Sequence, residues 1–331
     1  MADFFGYKKR SIHVSSGAMA LAVVLLIGSA FNPGLFLSYS NIQNIFRQTV
    51  TNAFLAFGMA YVIISGSIDL SVATTLAMAG YIGVWLLPYS FPLAFLAAVM
   101  FGVLVGFING FLIAKVKFPP MIATYSMQLF IKGMILVITN GVTLRPAKES
   151  MVMKYLGHGT VLGLVPLGFI LLIMAFCACN YSIGNIPLFR NIYAVGGNEE
   201  GAKMMGVNVV KTRITAHIIC SILACIAGIN VAARTGAATA GAGDGYDMLA
   251  IASVVIGGIS MAGGKGKFSG CFFGAMVVAI LSNIFKLQNT LNAYWERAII
   301  GIVLLAVLLV QAGMNQEDFK GRLKRILWRN R

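Results

Sequence analysis

Asp69 sits in the stretch GSIDLSVATT (residues 66–75), between the apolar runs AFLAFGMAYVIIS and LAMAGYIGVWLL. A carboxylate inside a hydrocarbon-like span costs roughly 2.5 to 3.5 kcal/mol on insertion scales, so some interaction must offset it. One reading makes it part of a substrate or ion site. The other makes it a helix cap whose oxygens accept the amides of Ser71 and Val72, and the preceding Gly66 and Ser67 with an apolar helix at once downstream favour this capping role. The remaining acids fall in loops or at span ends. His217 is the one histidine near a span interior, and it reads as a satisfied polar group rather than a proton relay.

A second chemically informative segment is RNIYAVGGNEEGAKMMGVNVVKTR, residues 190–213. Asn198 suits an N-cap, Glu199 and Glu200 occupy the favourable first turn, and Gly206 can end the helix, with Gly201 between them. The expected product is a helix of about two turns exposing Ala202, Met204 and Met205. It is shorter than the ~12 to 15 residues that hold a helix on their own, so something must hold it. A partner's groove would do so through the methionines; packing on the chain's own spans is the alternative.

The elements that position these residues are membrane spans. The chain has 331 residues, 59% hydrophobic and 11% charged, with mean hydropathy +0.85, where a soluble domain carries about a quarter charged residues. At about 20 residues per span, candidates fall near 17–38, 43–64, 70–88, 91–114, 121–139, 161–179, 211–233, 248–262, 269–285 and 295–313. The fold class expected is therefore all-α and polytopic, one membrane domain over 1–331 with about ten spans. The net charge of +15 does not signal nucleic acid. Placing the N-terminus in the cytoplasm puts the basic runs at 8–10, 115–117, 190–213, 265–267 and 320–331 on that side, as the loop-charge rule requires. Both termini are then cytoplasmic, with 1–16 a short leader to the first span and the basic tail 314–331 an anchor for anionic lipid. The N-terminal KKR before an apolar run also fits a signal peptide, but the run continues past Pro33 and further spans follow.

Spans 2–5 and 7–10 form two comparable sets of opposite orientation, so an inverted repeat is expected. GSIDLSVA interrupts the first set, and GAGDGYDMLAIASVVIGGISMAGGKG (241–266) opens the second with repeated glycines. Such interrupted segments at corresponding places mark a solute pathway, or close helix packing through small residues. The cysteines, Cys177, Cys179, Cys220, Cys225 and Cys271, lie in apolar spans with no metal or disulfide spacing. No phosphate-binding G-x-x-x-x-G-K-[ST], H-E-x-x-H or G-x-S-x-G motif occurs, so the chain is not expected to be an enzyme, and any ATP that drives it is bound by another chain.

GSIDLSV, FINGFLIA, AVGGNEEGAKMMGVNV and GAGDGYDMLAIASVVIGGISMAGGKGKFSG closely resemble, in order and spacing, the motifs of the ribose-type permease family, membrane subunits of bacterial ATP-binding cassette importers for sugars and related molecules. The resemblance covers roughly residues 20–312 and implies a bacterial inner-membrane protein. It implies, as partners, two cytoplasmic ATPase subunits that bind ATP and Mg, an extracytoplasmic solute-binding protein, and a second permease copy or paralogue. It also implies that Asn198 to Gly206 docks the ATPase, and that Asn52, Asp69, Ser71, Asn109 and Thr124 line or shape the pathway. Ser67, Ala73, Tyr125, Ser126 and Lys132 depart from the family pattern, which bears on solute identity. The rival readings are an ion-coupled carrier or channel working alone, and a membrane receptor or scaffold. Pentoses, hexoses, a signalling sugar derivative and nucleosides are all compatible solutes.

Overall fold

The structure, a computed structural model, describes residues 16–147 and 150–287 and seven positions between 295 and 309. Most of the expected tenth span, the tail and nearly all of the N-terminal leader lie outside the described residues. The regular elements among the described residues are helices, apart from one hairpin of two-residue strands, joined by turns and loops. In chain order the elements are α1 (Ser16–Phe31), α2 (Pro33–Phe36), α3 (Tyr39–Ile64), α4 (Val72–Leu86), α5 (Phe91–Ala114), α6 (Pro120–Thr139) and α7 (Met151–His158). They continue with β1 (Thr160–Val161), β2 (Val165–Pro166), α8 (Leu167–Asn185), α9 (Pro187–Gly197), α10 (Glu199–Met204), α11 (Val209–Thr235), α12 (Tyr246–Ile256) and α13 (Phe268–Leu287). Five of these, α5, α6, α8, α11 and α13, are long and apolar enough to cross a membrane.

Two helices form the centre. α3 is buried on every side from Thr49 to Ile64, a stretch where, Asn52 apart, the sequence is apolar or hydroxylated all round, as suits an interior helix. α11 packs against it and against α4 and α5. The periphery is inverted: α6 and α8 bury few of their apolar residues and present Ile122, Leu129, Phe130, Val137 and Met174 outward, the expected arrangement where lipid is the solvent.

Close approach of α5 to α11 depends on a stripe of small residues. Gly102, Gly106 and Gly110 recur every four residues on one face, and a Cβ at each would fall 2.9 Å from Ser221 O, 2.6 Å from His217 O and 2.6 Å from Ile214 Cα. Small residues at this spacing let helix backbones touch in a membrane, where packing rather than water exclusion drives association.

Several expected boundaries move. The sixth span was expected at 161–179; residues 160–166 instead pair as a hairpin, Thr160 with Pro166 and Val161 with Val165, and α8 runs 167–185. Apolar VLGLVP looked like span, but Leu162 and Gly163 take positive φ and turn the chain back. The eighth span was expected at 248–262; α12 stops at Ile256 because Gly258, Gly263 and Gly264 all have positive φ, which a right-handed helix does not admit. Expected span 17–38 is divided at Asn32, whose side chain caps α2.

Gly106→Val is expected to destabilise the fold by about 1 to 3 kcal/mol through overpacking, read as a lower thermal unfolding midpoint in detergent, with Gly133→Val, a site open on all sides, near neutral.

Candidate functional site

Between α3 and α4 the chain leaves the helix for residues 65–71, and Asp69 lies there with no exposure at all. Its carboxylate gathers donors on both oxygens. Oδ1 accepts the Ser71 amide at 3.0 Å and the Ser71 hydroxyl at 2.6 Å; Oδ2 lies 3.0 Å from His217 Nδ1. An ionised Asp69 accepts from a protonated Nδ1 in this geometry. The imidazole's other nitrogen, Nε2, lies 3.1 Å from Ser67 Oγ. Asn109 Nδ2 donates to Ser71 Oγ at 2.9 Å, and Thr124 Oγ1 accepts the Leu70 amide at 3.1 Å. Residues from α4's approach, α5, α6 and α11 are thus tied to one interrupted segment.

Four of the five residues singled out for the pathway, Asp69, Ser71, Asn109 and Thr124, are brought together. Asn52 is not: it is buried on α3 about 18 Å from the helix end at Ile64. The capping expectation needs correction in detail. Asp69 does accept the Ser71 amide, but Ser71 itself is the α4 N-cap and Val72 does not bond to Asp69. The carboxylate's second oxygen goes to His217, a partner the capping argument missed. The signal was in the sequence: one acid and one histidine, each alone in an apolar span, satisfy each other more cheaply than apart.

The segment after α9 forms the second part of the site. Asn198 caps α10, its side chain accepting the Gly201 amide at 2.9 Å. Glu199 is held by Lys117 from the α5–α6 turn and by Arg213 from α11, each at 2.7 Å. Chiefly through the Lys117 hydrogen bond, with Arg213 adding to it, the Glu199 carboxyl is held below the usual glutamate range. Glu200 is exposed, Met204 and Met205 are 88% and 74% exposed, and Gly206 turns the chain with φ +81°. Ala202, expected to be exposed, is 1% exposed and packs with Val195 and Val209. The reason is geometric: the helix needs one apolar contact with α9 and α11 to stay down, and the smallest side chain of the three makes it.

The two parts meet at a joint of glycines that the sequence reading had not placed. The Gly264 amide donates to Ile64 O, the last carbonyl of α3, at 2.9 Å. Cβ atoms at Gly196 or Gly264 would overlap the facing backbones of Ile64 and Gly197 respectively. Gly66 lies against the same joint, and a Cβ there would be 3.9 Å from Arg213 Nη2. Arg213, ion-paired to Glu199 on α10, thus lies close to the start of the interrupted segment. Among the described residues no group of three metal-ligating side chains occurs.

Comparison with known proteins adds an independent line. A family model described as the branched-chain amino acid transport system / permease component matches residues 41–308. The chain is 36% identical over 296 residues to the ribose import permease protein RbsC of Escherichia coli K12, covering 88% of this chain and 91% of that one. It is 35% identical over 294 residues to the RbsC of Bacillus subtilis 168, covering 88% and 90%. To the xylose transport system permease protein XylH of Escherichia coli K12 it is 29% identical over 377 residues, covering 95% of each. No solved structure matches.

Removing one partner of the buried pair strands the other: Asp69→Asn or His217→Leu is expected to cost about 3 to 5 kcal/mol. The double variant should cost less than the two combined, as a double-mutant cycle by unfolding in detergent will read. At α10, a depressed glutamate supports the fold at neutral pH and releases it only as pH falls below the ordinary range. Amide exchange of α10 should therefore stay slow until that range is passed, and should already be fast at pH 7 in Glu199→Gln.

Proposed function

We infer, from the premise that this chain belongs to the permease-component family whose model spans residues 41–308, that it is the membrane subunit of an ATP-binding cassette importer and carries a sugar or sugar-like solute. The relatives named for ribose and xylose import support that solute class. Separate ATPase subunits bind ATP and Mg and do the hydrolysis; an extracytoplasmic binding protein delivers the solute; a second permease completes the pathway. The protein sits in the bacterial inner membrane with about ten spans and both termini in the cytoplasm. Supporting that orientation, Lys117, Arg213 and Glu199 mark one end of the bundle, and the Tyr193 hydroxyl bonds Gly266 O between Lys265 and Lys267 at the same end. The interrupted segment 65–71 and the glycine-bearing stretch 236–245 before α12 stand at comparable places in spans 2–5 and 7–10, in keeping with an inverted repeat.

One observation carries the reading: a six-residue helix, α10, capped, ion-paired and anchored by Ala202, that turns Met204 and Met205 fully outward beside the joint leading to the interrupted segment. Exposed paired methionines on a held helix suit a partner's apolar groove. ATP-driven movement of the ATPases pushes on α10, Arg213 and Gly196–Gly264 pass the push to residues 65–71, and access to the pathway alternates. Asp69, Ser71, Asn109 and Thr124 shape that pathway by holding the segment. A proton-coupled carrier working alone is the second reading, and the Asp69–His217 pair is what favours it. Both side chains are sealed from direct contact with solvent, which counts against that reading.

Met204→Ala/Met205→Ala removes only exposed groups, so membrane insertion should be unchanged. Pull-down of the partner ATPase should fall by about tenfold or more, the scale of two anchor contacts. Undiminished pull-down would remove α10 as the docking element, and solute flux by the purified chain under an ion gradient would favour the autonomous carrier.

A further inference from the structure

We propose that Tyr125, Gln128 and Lys132 on α6, with Asp244 and Asp247 at the start of α12, form a contact site for a polyhydroxyl solute partway through the bundle. The solute class rests on the importer reading; the place rests on geometry.

The loop after α11 does not remain at that helix's end. A Cβ on Gly243 would overlap Ala73 O in the first turn of α4, and Gly228 of α11 lies against Leu76 O one turn further along α4. Gly228 is about 10 Å short of the Thr235 end of α11, which puts Gly243 roughly 15 Å inside that end. α12 accordingly begins at depth. α6 meets it there: Gln128 and Lys132 lie about 16 and 10 Å from the Thr139 end.

The contacts at this meeting point are polar. Lys132 Nζ donates to Ala240 O at 2.9 Å and pairs with Asp244 Oδ1 at 2.6 Å. Gln128 Nε2 lies 3.5 Å from Asp247 Oδ2, while Gln128 Oε1 is buried without a hydrogen-bond partner. Tyr125, Gln128 and Lys132 recur at i, i+3 and i+7 and so share one stripe of α6; Tyr125 is half exposed. The Lys132 and Asp244 side chains are 30% and 54% exposed. Charged groups at this depth do not face hydrocarbon; they line a watered cavity. α6 otherwise exposes apolar residues, Ile122, Phe130 and Val137 away from this face and Leu129 and Leu136 beside it, so the polar contact is confined to the three positions of the stripe.

The donor set fits a neutral polyol. Hydroxyls both donate and accept, and the site offers two carboxylates, an amide with an unused acceptor, an ammonium and an aromatic face. A single cation against two carboxylates gives an anion no net attraction. The Lys132–Asp244 pair closes on itself here and exchanges partners when hydroxyls arrive.

The test is accessibility, in membrane vesicles, of Gln128→Cys and separately Tyr125→Cys, in a background with Cys177 and Cys179 changed to Ala. The probe is a charged, water-borne methanethiosulfonate. Phe130→Cys, two residues on and about 200° around α6, is the lipid-facing control. We expect both stripe cysteines to react, Phe130→Cys not to, and ribose or xylose to slow the stripe reactions severalfold. No reaction at either stripe position would overturn the site. Reaction slowed by choline but by neither sugar would overturn the solute class and assign the site to a cation; reaction that no solute slows would reduce Lys132–Asp244 to a structural staple. Failure of the importer reading shows separately, as absence of ribose or xylose accumulation by the unaltered permease reconstituted with its ATPase and binding protein.

Discussion

Placing one carboxylate inside an apolar bundle is the constraint around which this molecule is arranged. Asp69 is tolerable only because Ser71, His217 and, through Ser71, Asn109 supply donors to it. Each of those donors comes from a different part of the chain, so satisfying the carboxylate brings α4, α5 and α11 to fixed positions. The glycine stripe on α5 serves the same end, since without it α11 could not carry His217 close enough. Burial of a paired charge seldom adds net stability over an apolar substitute; what it supplies here is a single arrangement of an otherwise undirected apolar interior.

A non-helical segment at the bundle centre has a functional consequence. Its backbone is held by a few side chains rather than by a helix ladder, so on the importer reading a displacement there acts on a small set of hydrogen bonds and not on a whole helix. Its neighbours on the basic end are backbone glycines, through which a displacement passes by direct contact and not through pliable side chains. Arg213 of α11, near that joint, is ion-paired to Glu199 of α10. On the importer reading, the path from ATPase to solute is therefore short: α10, the joint, residues 65–71.

Much of the architecture was legible from hydropathy. The fifth helix falls at 91–114 as expected, and α6, α11 and α13 lie within two residues of their expected ends, because long apolar runs bounded by Pro, Lys or Asn leave little choice. Errors gathered where apolar residues are not helical. VLGLVP turns as a hairpin, and IGGISMAGG ends α12 early; hydropathy does not register positive φ. Within the site, residue types were legible and pairings were not. The expected cap at Asp69 was a local argument about neighbours in sequence, whereas His217 reaches it from 148 residues away. Ala202 was misplaced for the related reason that a two-turn helix has no periodicity from which to tell its buried face.

On the importer reading, the glycine joint transmits ATPase movement to the interrupted segment. The most direct test is solute taken up per ATP hydrolysed in proteoliposomes containing Gly264→Ala permease with its partners, in protein that inserts and elutes as the unaltered chain does. A methyl group there would part Gly264 from Gly197, and hydrolysis is expected to continue while uptake falls away. Uptake and hydrolysis in the unaltered ratio would contradict it.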